Sequence, residues 1–151
     1  MKIFITVGTT KFDSLIEYLD NNLGTKNDVL FQIANGEYHP KNFKFINYTT
    51  KIDQLYKEYD YIITHAGSSS IYKLLNLRKK MIVIPNLERA DNHQLDIADF
   101  VDTHNYAICC QDFKSIIPSL KKLPSSTFLF YQKSAFILDK EICKVLSNFK
   151  I

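Results

Sequence analysis

Short apolar runs alternate along this chain with segments whose apolar residues recur every three or four positions. The runs are Lys2 to Gly8, Val29 to Ala34 within Asp28 to Gly36, Phe43 to Tyr48, Tyr61 to His65, Met81 to Ile84 within Lys80 to Pro85, and Tyr106 to Cys110. Each reads as a buried strand. Between them, Phe12, Leu15, Ile16, Leu19 and Leu23 share one helical face, and so do Ile52, Leu55, Tyr56 and Tyr59 within a helix over 51–58. Further stripes are Leu95, Ala98 and Val101, then Phe113, Ile116, Leu120 and Leu123, and last Leu138, Ile142, Val145 and Phe149.

Punctuation agrees with this division. Thr10 with Asp13, and Thr50 with Asp53, have the spacing of a capping box, and Asp91 with Gln94 has it again. Gly24 follows the first helix, Asn35-Gly36 marks a turn, and Pro40, Pro85 and Pro124 stop regular structure. Asp112 and Ser115 are alternative starts for the fifth helix, because Pro118 is tolerated only in a first turn.

Strands alternating with helices predict an α/β layered fold with a mostly parallel sheet, covered on both faces because its strands are apolar on both. At 151 residues a single domain is expected. Ligands of such folds bind beyond the carboxyl ends of the strands. That rule selects three loops: Gly8-Thr9-Thr10, His65 to Ser70, and Asn86 to Gln94. The chain has neither a dinucleotide glycine fingerprint nor a Gly-Lys-Ser/Thr loop, which argues against a nucleoside triphosphatase.

Composition narrows the picture further. A net charge of +3 is too small to argue for nucleic acid. The positive charge gathers late, where seven lysines from Lys114 onward face only Asp139 and Glu141. That distribution suits an anionic lipid surface, an acidic partner or a solvated helix face. Cys109, Cys110 and Cys143 fit neither a disulfide framework nor a zinc pattern and read as free thiols. No run is long enough to span a membrane, and Met1 to Gly8 lacks the features of a signal peptide, so a cytoplasmic protein is expected.

The second loop carries the sharpest chemistry. Tyr61 to Leu75 reads as strand, tight turn and helix, with Gly67 at the turn and Ser68, Ser69 and Ser70 opening the helix. A helix start with free N–H groups favours an anion, most often phosphate, and serine hydroxyls add donors. An ordinary serine-capped turn has the same residues.

Val7-Gly8-Thr9-Thr10-Lys11-Phe12-Asp13 resembles the opening of small glycosyltransferase subunits of the PssE/EpsF type. That family includes the soluble catalytic subunit of the dolichol-linked N-acetylglucosaminyltransferase. His65-Ala66-Gly67-Ser68-Ser69-Ser70-Ile71 is similar to its His-Ala-Gly-Ser-Gly-Ser-Ile turn, and Pro85-Asn86 with Asp91-Asn92-His93-Gln94 is similar to its third motif. The resemblance covers about residues 1–110. It implies a Rossmann-like, doubly wound sheet: the C-terminal, donor-binding half of a GT-B glycosyltransferase. It implies a hexosyltransferase subunit that takes a UDP-sugar, acts in polysaccharide, capsule or exopolysaccharide synthesis, and needs no cofactor or metal. A membrane-anchored partner would hold the lipid-linked or growing glycan acceptor and bring this chain to the inner face of the membrane. A terminal helix at about 133–149 would pack on the domain or dock on that partner.

Residue by residue, the resemblance assigns Ser68, Ser69 and Ser70 to the donor diphosphate, and Asn92, His93 and Gln94, flanked by Asn86 and Asp91, to the donor sugar. Asp91 and Gln94 would also serve as helix caps. Gly8, Thr9 and Thr10 would line the cleft facing the partner, Gly67 would shape the turn, and His65 would bind phosphate or fix the loop. No catalytic base is assigned, His65 being the one candidate. Ser69 stands where the family has glycine, and Lys73 where it has a glutamate that holds the ribose. Lysine cannot accept a hydrogen bond. Leu77-Arg78-Lys79-Lys80 lacks the family's Gly-Lys-Pro. These departures keep two other readings open: a scaffold subunit that has lost donor binding, and a stand-alone nucleotide-binding protein.

Overall fold

The computed structural model describes residues 1–88 and 93–132. Asp91, Asn92, Cys143 and the expected terminal helix lie outside the described residues. The strands are β1 (Lys2–Thr6), β2 (Asp28–Gln32), β3 (Lys44–Ile46), β4 (Tyr61–His65), β5 (Lys80–Ile84) and β6 (Ile108–Cys109). The α-helices are α1 (Asp13–Asn22), α2 (Ile52–Glu58), α3 (Ser68–Asn76), α4 (His93–Thr103) and α5 (Ile116–Lys122). They form one sheet in the order β3-β2-β1-β4-β5-β6, parallel throughout. The chain winds outward from β1 in one direction and from β4 in the other, so the switch point lies between these two strands.

Alternation along the strands feeds two cores. Ile3, Ile5, Phe31, Ile63, Ile82 and Ile84 point to one face, where Leu15, Ile16 and Leu19 of α1 and Ile116 and Leu120 of α5 cover them. Phe4, Ile62, Met81 and Val83 point to the other, under Tyr56 of α2, Ile71 and Leu74 of α3, and Ala98 and Val101 of α4. Each fully buried side chain of this size contributes about 1.5–3 kcal/mol.

Helix ends depart from the expected chemistry. The residue capping α1 is Phe12, with no side-chain cap bond, and not Thr10. Asp13 instead accepts the backbone N–H of Tyr38 at 3.0 Å, tying α1 to the loop beyond β2. Lys51, not Thr50, caps α2. At the fifth helix both alternatives are used: Asp112 caps a 3-10 turn over Phe113–Ser115 and accepts the N–H of Ser115 at 3.0 Å, and α5 follows with Pro118 in its first turn. Near Asn35-Gly36 the left-handed residue is Ala34, at φ 54°.

Two helices are followed by a left-handed residue that is not glycine. Arg78 follows α3 at φ 52°, with Arg78 N–H donating to Leu75 O and Lys79 N–H to Leu74 O, both at 3.0 Å. Asn105 repeats this after α4 at φ 51°. These are Schellman turns, and Arg78 makes one where glycine would be free of strain.

Candidate functional site at the switch point

Beyond the carboxyl ends of β1 and β4 lies an open cleft of about 340 Å³. Its lining includes Gly8 and Thr9 from the loop after β1, His65 to Ser70 except Ala66, and Lys73 on α3. The opposite wall is Tyr48, Thr49, Ile52 and Tyr56.

Gly67 is the N-cap of α3, so the three serines form its first turn rather than capping it. The first intrahelical bond runs from Ile71 N–H to Gly67 O at 3.0 Å. The N–H groups of Ser68, Ser69 and Ser70 are therefore the ones an α-helix leaves without intrahelical partners. Ser68 and Ser69 are exposed and Ser70 half-buried. Ser70 hydrogen-bonds the hydroxyl of Tyr56, which lies buried beside Phe4 with ring centroids 6.1 Å apart. Burial raises the Tyr56 hydroxyl above its ordinary value, while the Ser70 bond and the charge of Lys73 oppose the shift, so it stays protonated at neutral pH.

His65 explains both glycines. A Cβ at Gly8 would lie 2.6 Å from Cε1 of its ring, and one at Gly67 would lie 2.2 Å from Nε2. Gly8 also needs its φ of 66°, whereas Gly67 has an ordinary φ of −80°. The turn at Gly67 is thus set by the neighbouring imidazole and not by backbone freedom. The His65 ring thus lies between the two loops.

The third loop is placed differently. Asn86 is buried: its N–H donates to Gln94 Oε1 at 2.8 Å, its Nδ2 to Lys11 O at 3.2 Å, and its Oδ1 accepts from Glu88 N–H at 3.0 Å. Asn86 and Gln94 hold each other and are not among the residues lining the cleft. His93 opens α4 and is exposed, and half-buried Thr10 also stays outside the lining.

Pattern reading passed over Thr6, Gln32, Tyr48, Thr49, Ile52 and Tyr56, all of which line the cleft. Gln32 interrupts an otherwise apolar run, which is the one signal that marks it. Lys73 reaches the cleft but spends its charge on Asp53, at 2.9 Å, in an exposed pair. Such pairs add little stability. Burial, with Asp102, Cys110 and Asp99 adding to it, pushes the Cys109 thiol up to about 12, so it is no nucleophile at neutral pH.

A serine-lined helix start at the switch point of a parallel sheet is a place for a diphosphate. The glycosyltransferase family 28 C-terminal domain matches residues 2–133. The chain belongs to this family. The UDP-N-acetylglucosamine transferase subunit ALG13 of Homo sapiens is 30% identical over 123 residues, covering 72% of this chain and 11% of that protein. The chain thus spans a small part of that relative. An NMR solution structure of ALG13 superposes with a TM-score of 0.61 at 18% identity, over 98% of this chain and 96% of that one. Acinetobacter baumannii MurG superposes at 0.62 and 17% identity, over 82% of this chain but 41% of MurG. These two likenesses establish the fold: the Rossmann-like C-terminal domain of a GT-B glycosyltransferase. The relatives reported lend no support to the PssE/EpsF type or to a capsule or exopolysaccharide role. Among the described residues no helix of this family 28 domain is long and apolar enough to cross a membrane.

Proposed function

We propose that this chain is the donor-binding subunit of a two-chain glycosyltransferase that takes a hexose from a UDP-sugar. The name of the human relative makes UDP-N-acetylglucosamine the first donor to test. The observation that carries the reading is the cleft itself, with the first turn of α3 and its serines open to it at the switch point. The diphosphate would sit on the N–H groups and hydroxyls of Ser68 to Ser70. As the sugar leaves, negative charge grows on the nucleoside diphosphate, and the same donors together with the helix dipole stabilise it. The nucleoside would reach the wall of Tyr48 and Thr49, where the exposed Tyr48 ring offers a stacking face. The acceptor, a lipid-linked glycan, and the catalytic base would come from a membrane-anchored partner that recruits this chain to the membrane.

Lys73 favours a second reading, a scaffold that has lost donor binding, because among the described residues the lining includes no carboxylate to accept ribose hydroxyls. Calorimetric titration with UDP separates the two. Saturable binding, weakened about tenfold or more by Ser68→Ala with Ser70→Ala, supports the donor role, since each lost hydrogen bond to a charged group is worth about 1.5–3 kcal/mol. No binding, even with the partner present, leaves the scaffold. UDP binding by a chain that recovers no partner on purification would point to a stand-alone nucleotide-binding protein.

A further inference from the structure

Two buried polar side chains, Thr6 and Gln32, line the floor of the cleft and bond to each other. Gln32 ends β2, is 3% exposed, and stands directly across from Thr6 in the β1–β2 register. Its Oε1 accepts from Thr6 Oγ1 at 2.6 Å. Its Nε2 donates to Gly8 O at 2.9 Å and to Asn47 O at 2.7 Å. Thr6 Oγ1 in turn accepts the N–H of Gly8 at 3.2 Å. Every polar atom of the amide is used, and the two carbonyls, which can only accept, fix which end faces them. A packing role alone would be served by leucine. An amide here, reaching one loop on each side of the cleft, ties those loops together.

We propose that Gln32 is a positioning residue that clasps the Gly8–Thr9 loop to the Asn47–Thr49 loop and so sets the distance between the two walls of the cleft. Gly8 lies against the His65 ring, and that ring lies against Gly67 at the start of α3. Through these contacts the clasp links the wall of Tyr48 and Thr49 to the serine turn. A ligand that spans both walls needs the clasp, whereas one that occupies the serine turn alone does not. This rests on the donor-binding reading, in which a nucleoside diphosphate is the spanning ligand.

The test uses UDP and inorganic diphosphate as probes on the whole chain and on Gln32→Leu and Thr6→Val, with backbone order parameters measured by NMR. Gln32→Leu, which removes all three hydrogen bonds of the amide, is expected to weaken UDP about tenfold and to leave inorganic diphosphate unchanged. Order parameters should fall together at residues 8–9 and 47–49 while those of α3 hold. Thr6→Val, which keeps the shape but removes the hydroxyl's bonds to Gln32 Oε1 and Gly8 N–H, should show the same pattern more weakly. The clasp is overturned if a folded Gln32→Leu chain binds UDP as the parent does with both loops unchanged. It is equally overturned if order is lost throughout the sheet in both variants. Should the parent chain fail to bind UDP even with the partner present, the donor reading falls while the order parameters still decide the clasp.

Discussion

At the scale of single residues the site is organised by what a ring leaves no room for. Gly8 and Gly67 flank the His65 imidazole, and each would bring a Cβ closer than any real contact allows. Gly67→Ala is therefore expected to destabilise the chain by about 2 kcal/mol, as overpacking does. Most of that loss should vanish when His65→Ala is made as well, a coupling that a double-mutant cycle in urea reads directly. Gly8→Ala should be rescued only in part, because the strain of a positive φ remains after the ring has gone. The sequence displayed these glycines as turn residues, and at Gly67, with an ordinary φ of −80°, the structure adds the nearness of the His65 ring as the reason for glycine. Nothing in the linear order shows that an imidazole at the end of β4 packs on two loops at once. Gln32 was hidden for the same reason, since its partners come from two segments distant in sequence, Thr6 and Gly8 at the end of β1 and Asn47 after β3.

At the scale of elements, periodicity was legible, whereas capping was legible at Asp112 but not at Thr10 or Thr50. Stripes such as Leu15, Ile16 and Leu19 place the helices because burial against the sheet decides them. Side-chain caps are worth about 1 kcal/mol each, so tertiary demands redirect them. Asp13 and Asp53 are spent on Tyr38 and Lys73, and Asp20 on α1 is spent on the loop that leads to β3. Buried Asp20 accepts the hydroxyl of Tyr38 at 2.9 Å and the N–H groups of Lys41 and Asn42 at 2.8 and 3.0 Å. Desolvation first, then the hydrogen bond to Asp20 and its charge, push Tyr38 up to about 12. An unfolded tyrosine ionises near 10, so between about pH 10 and 12 the folded chain holds a proton that the unfolded chain has lost. Stability must fall as pH rises through that window. Urea midpoints measured across it should fall less steeply in Tyr38→Phe, which removes the titrating hydroxyl and keeps the ring.

For the molecule as a whole, the parallel α/β layering was legible because apolar runs and helical stripes alternate from end to end. The order of the strands was not, and it is the order that puts Gly8 beside His65. Past α5 the pattern suggested only a break at Pro124, yet the segment there closes the fold. Phe128 packs against the core under α1 and α5, and Tyr131 against the core under α2, α3 and α4. Between them Leu129 N–H donates to Asn105 O at 2.9 Å, and Phe130 lies under the Arg78 guanidinium, 4.4 Å from its ring centre. Tyr131 meets Tyr106 edge-on at 5.8 Å. Arg78, Asn105 and Tyr106 precede β5 and β6, so this strap crosses the end of the sheet opposite the cleft and joins the two cores. A chain cut after Gln132 keeps the strap, and one cut after Pro124 loses it. The shorter chain should be less stable than the longer by about 3 kcal/mol, the worth of two partly buried aromatic side chains and a cation–π contact. Equal urea midpoints for the two would show that the strap lies on the fold without holding it. A deficit confined to the shorter chain, with UDP affinity unchanged in both, would place the strap's work in stability and leave the cleft to the opposite end of the sheet.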